Sequence, residues 1–249
     1  MGAGKKANIG LIASVFSEGT MFESTFKAIG KALPCYPAFY TGIVTGNRAI
    51  LGISGVGKVN AAHTVTVLIE KFSPSCIINF GTGGTFPSSG LKVGDIAVAE
   101  KEVYADEGVL LKDGFHGIDL IGIPLFQKGR KKYFNEFPLD KPLIRKAVRA
   151  AQLITHYASP ETVKKGTFLT VSACTGTKKR AGELERKFSP LCENMEGASI
   201  AHICCLYGIP FVEIRGVSNM VENRDKGKWD IKLAAENCQK AVLELLNIL

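Results

Sequence analysis

The sequence predicts a single α/β domain spanning residues 1–249, with a central mixed β-sheet flanked by helices. Two observations carry this expectation. Short continuous apolar runs of buried-strand length recur along the chain, and they alternate with longer stretches in which apolar residues fall every three or four positions. A third is composition: 249 residues, 46% hydrophobic and 22% charged, with no internal repeat or low-complexity tract, match an ordinary globular domain with a sizeable core.

The elements follow in order. Asn8 to Ser14 reads as a buried strand, and Glu18 to Leu33 shows helical spacing through Met21, Phe22, Phe26 and Ile29. Ala49 to Ser54 is a second strand. Gly55-Val56-Gly57 then turns the chain into a helix whose face carries Ala61, Val65, Leu68 and Phe72. Cys76 to Phe80 is a third strand, ending in a Gly81-Thr82-Gly83-Gly84 loop where backbone can approach a ligand closely. Lys92 to Glu100 turns and continues as a strand. Asp113 to Pro142, rich in Gly, Pro and charge, is an excursion and not a linker, because Ile121, Leu125 and Phe134 persist through it. Lys141 to Tyr157 reads as a helix, Thr167 to Cys174 as a strand, and Met195 to Tyr207 as a helix stopped by Gly208-Ile209-Pro210. Phe211 to Val217 is the last strand. A final amphipathic helix, Ile231 to Leu246, offers Leu233, Cys238, Val242 and Leu245 to the core.

Charge and cysteine usage exclude several classes. Thirty-one Lys and Arg against 23 Asp and Glu give a net charge of +8, but the basic clusters are short and lack interleaved aromatics. A solvated face or an anionic small substrate fits better than nucleic acid. Seven cysteines without a C-x-x-C pair read as reduced thiols, neither a disulfide framework nor a zinc ribbon. No run of about 18 apolar residues could cross a membrane. The amino terminus lacks a signal-peptide cleavage site and a myristoylation serine or threonine. A cytoplasmic protein with no membrane partner is expected.

Four segments at strand ends are candidate site positions, near Glu18, Thr82, Met195 and Asn219. The glycine loop is neither G-x-G-x-x-G nor a Walker loop, which disfavours dinucleotides and triphosphates. Taken singly, Glu18 and Glu196 are helix-start acids, Asn219 is a turn residue, and His63 and His202 are packed or surface histidines.

The ordered landmarks SGVGKVNAAHTVTVLIEKFSP, CIINFGTGGTF, LKVGDIAVAE and ENMEGASIAHICCLYGIPFVEIRGVSN resemble the purine nucleoside phosphorylase and nucleosidase superfamily. The resemblance implies a nucleoside phosphorylase-like fold, with a catalytic acid at Glu18, a ribose-binding Met195-Glu196 pair and a base-facing residue at Asn219. Methylthioadenosine/adenosylhomocysteine nucleosidases carry an aspartate where this chain has Asn219. Gly197, the RGVSN ending, TVSACTGT and the tail NRDKGKWDIKLAAENCQKAV are similar to the futalosine hydrolases, which release hypoxanthine from futalosine on a route to menaquinone.

By this resemblance Glu18 activates water, Met195 packs on the sugar, and Glu196 binds the ribose hydroxyls beside a developing cation. Asn219 donates to the purine edge, where an amide suits a 6-oxopurine. Asn194, Thr82 and Gly83 line the ribose and water region, and Gly176 and Thr177 contact the base through the backbone. Phe86 is open between base stacking and core capping, and Arg215 between orienting the polar network and a structural ion pair. No metal and no cofactor is required, and a homo-oligomer, a dimer or larger, is implied. The alternatives are a methylthioadenosine/adenosylhomocysteine or aminodeoxyfutalosine nucleosidase, a purine nucleoside phosphorylase, and a non-catalytic nucleoside-binding protein.

Overall fold

Strand β1 (Ile9–Ala13) lies at the centre of the molecule because all five of its residues are buried, which only a strand paired on both sides and covered on both faces allows. It pairs in parallel with β4 (Asn47–Ile53) and β5 (Cys76–Thr85). The computed structural model describes residues 8–28, 37–154 and 162–249. Between β1 and β4 come β2 (Phe26–Ala28) and β3 (Ala38–Val44), an antiparallel run to one sheet edge. After β5 follow β6 (Ile96–Tyr104), the small hairpins β7 (Gly108–Leu111) with β8 (Gly114–Gly117) and β9 (Phe126–Lys128) with β10 (Lys131–Tyr133), and β11 (Glu136–Pro138). Strands β12 (Val163–Thr170), β13 (Cys192–Asn194) and β14 (Phe211–Met220) complete a mixed ten-stranded sheet ordered β11-β6-β12-β13-β5-β1-β4-β3-β2, with β14 paired to both β5 and β6.

Among the described residues five α-helices cover the sheet: α1 (Lys58–Phe72), α2 (Lys141–Ile154), α3 (Lys178–Phe188), α4 (Gly197–Tyr207) and α5 (Ile231–Asn247). Each turns an apolar stripe inward; in α5 it is Ala234, Ala235, Cys238, Ala241, Val242, Leu245 and Leu246. Among the described residues no helix is long and apolar enough to cross a membrane.

Three expectations are corrected. The Glu18–Leu33 helix is, over its described part, two 3-10 turns (Phe16–Glu18 and Thr20–Phe22) and strand β2; Met21 is exposed, and Ile29 to Leu33 lie outside the described residues. The glycine loop is the second half of β5, since β14 runs beside Gly81 to Thr85 and gives its backbone ladder partners. Leu233 is 39% exposed and sits at the edge of the inward stripe of α5. Helix α3, which the sequence reading did not include, opens with Lys178-Lys179-Arg180 and buries Ala181 and Leu184. The 113–142 excursion builds β8 to β11, consistent with its assignment inside the domain.

Candidate active site

The long strands β5 and β14 run side by side to Thr85 and Met220, carrying Thr82, Gly83 and Gly84 next to Arg215, Ser218 and Asn219. The chain leaving β1 brings Ser14 and Glu18 to the same place, and the β13–α4 junction brings Glu193 to Glu196. These residues line a cavity of about 390 Å³. Eight residues singled out in the sequence meet there: Glu18, Thr82, Gly83, Asn194, Met195, Glu196, Arg215 and Asn219.

Glu18 is 5% exposed and tied to two strands. One carboxylate oxygen accepts from the Thr82 backbone N–H at 2.8 Å and the Thr82 hydroxyl at 3.1 Å; the other accepts from Ser14 N at 3.1 Å and Val15 N at 3.4 Å. Burial raises its pKa, and the charge of Glu196 adds to this, against the lowering pull of Arg215 and the Thr82 donors. Gly81 makes the approach possible, because a Cβ there would stand 2.6 Å from the Glu18 carboxylate. A buried acid shifted upward beside an accessible cavity has the character of a proton acceptor.

Glu196 sits at the N-cap of α4, 4% exposed. It accepts from the Gly57 backbone N–H at 2.9 Å and lies 3.6 Å from the Arg215 guanidinium. Arg215 is among the most buried side chains of the fold; its Nε donates to Glu213 at 2.8 Å and its Nη1 to the Thr82 carbonyl at 3.2 Å. Arg215 therefore links both cavity acids to the sheet. Asn219 Nδ2 donates to the Met220 carbonyl at 3.0 Å and its Oδ1 accepts from Ser218 at 2.8 Å. One amide hydrogen and one carbonyl lone pair remain for a ligand.

Three expected residues lie elsewhere. Phe86 is fully buried in a second core cluster with Val103, Leu169 and Leu184, so its ring caps the core and is not open to a base. Thr177 is the N-cap of α3 and accepts from Arg180 N at 3.2 Å. The cavity is lined by Cys174 and Thr175, just before Gly176 and Thr177. The register of this loop places Thr175, donating to the buried Glu193 through backbone and hydroxyl, where Gly176 and Thr177 were expected.

Other wall residues carried no periodic signal: Ser14, Val56, Glu193, Glu222, Arg224 and Trp229. Glu193 stands inside the ENMEG motif and could have been taken with it. Arg224 lies over the Trp229 ring at 4.7 Å. The wall holds the acids Glu18, Glu193, Glu196 and Glu222 against Arg215 and Arg224, so the chain's net positive charge does not describe its site. A second cavity of about 560 Å³ is lined by Lys101, Lys132, Tyr133, Lys187 and Phe188. Lys101 there pairs with Glu136, and Lys187 caps the Phe115 carbonyl and ring. The first cavity, with its shifted acid and convergent donors, is the candidate for chemistry. Among the described residues, no group of three or more His, Cys, Asp or Glu is arranged to hold a metal ion.

The model of the phosphorylase superfamily matches residues 17–249. A 5'-methylthioadenosine/S-adenosylhomocysteine nucleosidase of Halalkalibacterium halodurans is 32% identical over 241 residues, 96% of this chain and 97% of its own. A futalosine hydrolase of Thermus thermophilus is 34% identical over 193 residues, 78% of this chain and 79% of its own. The solved nucleosidase of Neisseria meningitidis, in complex with methylthio-immucillin-A, superposes with a TM-score of 0.82 at 28% identity, covering 98% of this chain and 100% of that one. The chain belongs to the phosphorylase superfamily and is an enzyme of its nucleosidase class.

Proposed function

We propose that the enzyme hydrolyses the N-ribosidic bond of a 5'-substituted purine nucleoside, using water activated by Glu18. The observation that carries this is the pairing of the buried, upward-shifted Glu18 with Glu196 in the wall of one cavity. Breaking the bond leaves its electron pair on the purine and positive charge on the sugar. Glu196 places negative charge beside that cation and accepts from the ribose hydroxyls, with Met195 against the apolar sugar face and Asn194 holding the Glu196 backbone. Glu18 takes a proton from the water whose oxygen bonds to the sugar carbon. Thr82 and Gly83 line its path, and Asn219 donates to the departing base, which draws its proton from solvent.

Phosphorolysis is disfavoured by the donors it would need. Arg215 is engaged by Glu213 and Glu196, Lys58 by Asp106 and Glu107, and the Gly57 N–H by Glu196. A phosphate would also face two carboxyl groups.

Methylthioadenosine and adenosylhomocysteine are the first substrates to consider, supported by relatives matched along nearly the whole chain. Asn219 favours a second reading, futalosine with hypoxanthine as leaving group, because an amide can donate to a 6-oxopurine but cannot release a proton to the ring nitrogen. The similarity to a futalosine hydrolase adds to it. A cytoplasmic homo-oligomer is part of the proposal; Val56 at the cavity wall and Val59 beyond it, 52% and 82% exposed, are apolar residues a second subunit would cover. Side-by-side hydrolysis of methylthioadenosine, adenosylhomocysteine, futalosine, aminodeoxyfutalosine and inosine tests the substrate. Release of base from none of them would defeat the proposal.

A further inference from the structure

Beneath the cavity lie two acids that no step above uses. Glu102 near the end of β6 and Glu213 in β14 are both 0% exposed, and their carboxyl groups face each other. They meet over Gly197, the first residue of α4, where any Cβ would overlap oxygens of both. The absence of a side chain at Gly197 is therefore a condition of the contact.

The hydrogen bonds around the pair can be counted. One oxygen of Glu102 accepts from Asn194 Nδ2 at 2.7 Å and the other from Thr170 Oγ1 at 2.8 Å. Glu213 Oε1 accepts from Arg215 Nε at 2.8 Å. Glu213 Oε2 is buried with no donor. Two ionised carboxylates in contact without solvent repel strongly, and a single proton between them removes the repulsion and satisfies the orphaned oxygen. Burial and the neighbouring Glu213 push Glu102 well above the usual carboxylate range, which agrees with this count.

The pair is connected to the chemistry at both ends. On one side Glu213 holds Arg215, which faces Glu196 at 3.6 Å. On the other, Glu102 orients Asn194, whose Oδ1 accepts from the backbone N–H of Glu196 at 2.9 Å and of Gly197 at 2.7 Å. Thr170 Oγ1 accepts from Ala198 N at 2.7 Å. The unsatisfied first amides of α4 are thus held by side chains that Glu102 orients.

We propose that Glu102 and Glu213 are positioning residues for the nucleosidase reaction: sharing one proton, they fix Arg215 and Asn194, and through these both the carboxylate and the backbone of Glu196 against the ribose. This rests on the function proposed above, so the test separates the two. Glu213→Gln keeps an acceptor for Arg215 and puts an N–H where the shared proton lies; Glu213→Leu does neither.

With full-length protein, E213Q keeps kcat within about threefold of wild type, whereas E213L loses about 100-fold in kcat with little change in KM. Hydrogen exchange at Arg215 Nε–H, read by 15N NMR without substrate, is slow in wild type and E213Q and fast in E213L. Loss of kcat in E213Q equal to that in E213L, or wild-type kcat in E213L, overturns the proposal. If wild type cleaves no nucleoside, the parent reading has failed and the exchange rates decide the pairing alone, fast exchange in wild type overturning it. If E213L does not fold, E213Q and wild type decide: native kcat with slow exchange upholds the pair, and collapse of either refutes it.

Discussion

Glu18 has four hydrogen-bond donors and almost no contact with solvent, so its proton affinity is set by burial against those donors and Arg215. The role of base proposed for it requires the ionised form, so kcat is expected to rise with pH through the raised pKa of Glu18 and then level. Glu18→Gln should cost about 10²- to 10⁴-fold in kcat and abolish that limb of the profile. The same shift has a stability cost. The folded chain holds this proton more tightly than the unfolded one, so stability falls as pH rises from the ordinary carboxylate range to the raised value. The Gln variant lacks the titrating group, so its melting temperature, measured by calorimetry, stays level over the window in which that of wild type falls; a parallel fall would contradict the assigned burial cost. Asn219 makes a separate prediction. Asn219→Asp restores a releasable proton at the purine edge, and the ratio of adenine to hypoxanthine release from matched nucleosides should rise about tenfold.

At the scale of elements, β5 joins the core to the site. Its first half is apolar, while its second half is glycine-rich because Glu18, Cys192, Val221 and Asn219 crowd against it. Gly81→Ala is expected to lower kcat about 100-fold by displacing Glu18, with a readily folded chain as the control. Helix α3 makes the opposite case: Thr177→Ala removes its cap and should cost about 1 kcal/mol of stability with kcat unchanged. Phe86→Ala should cost about 3–5 kcal/mol, again through the core.

Strands β1, β4, β5, β6, β12 and β14 were legible because buried parallel strands are continuous apolar runs, whereas β2, β3, β7 to β11 and β13 went unread. The segment after β1 was not, since Met21, Phe22 and Phe26 imitate helical spacing while the Glu18 carboxylate binds Ser14 and Val15 and holds a tight turn instead. Glycine runs read as loops, and the pairing of β14, with β13 at Gly84, shows that Gly81 to Gly84 are strand. Glu18, Glu196 and Asn219 were found through ordered motifs. Arg224 and Trp229 come from an irregular tail without periodicity, and their approach to the cavity is a product of the fold alone.

Over the whole molecule, the positive net charge lies apart from an acidic cavity that stands at the carboxyl ends of β1, β5 and β14. Such a site suits a neutral nucleoside whose reaction generates a cation on the sugar, and it is poorly suited to an incoming phosphate. The most direct measurement is mass spectrometry of the products of methylthioadenosine and futalosine cleavage in 18O-labelled water, with and without phosphate. The account predicts free purine and a sugar carrying one 18O at the carbon that held the base, at a rate independent of phosphate. A sugar phosphate without the label, formed only when phosphate is present, would contradict it.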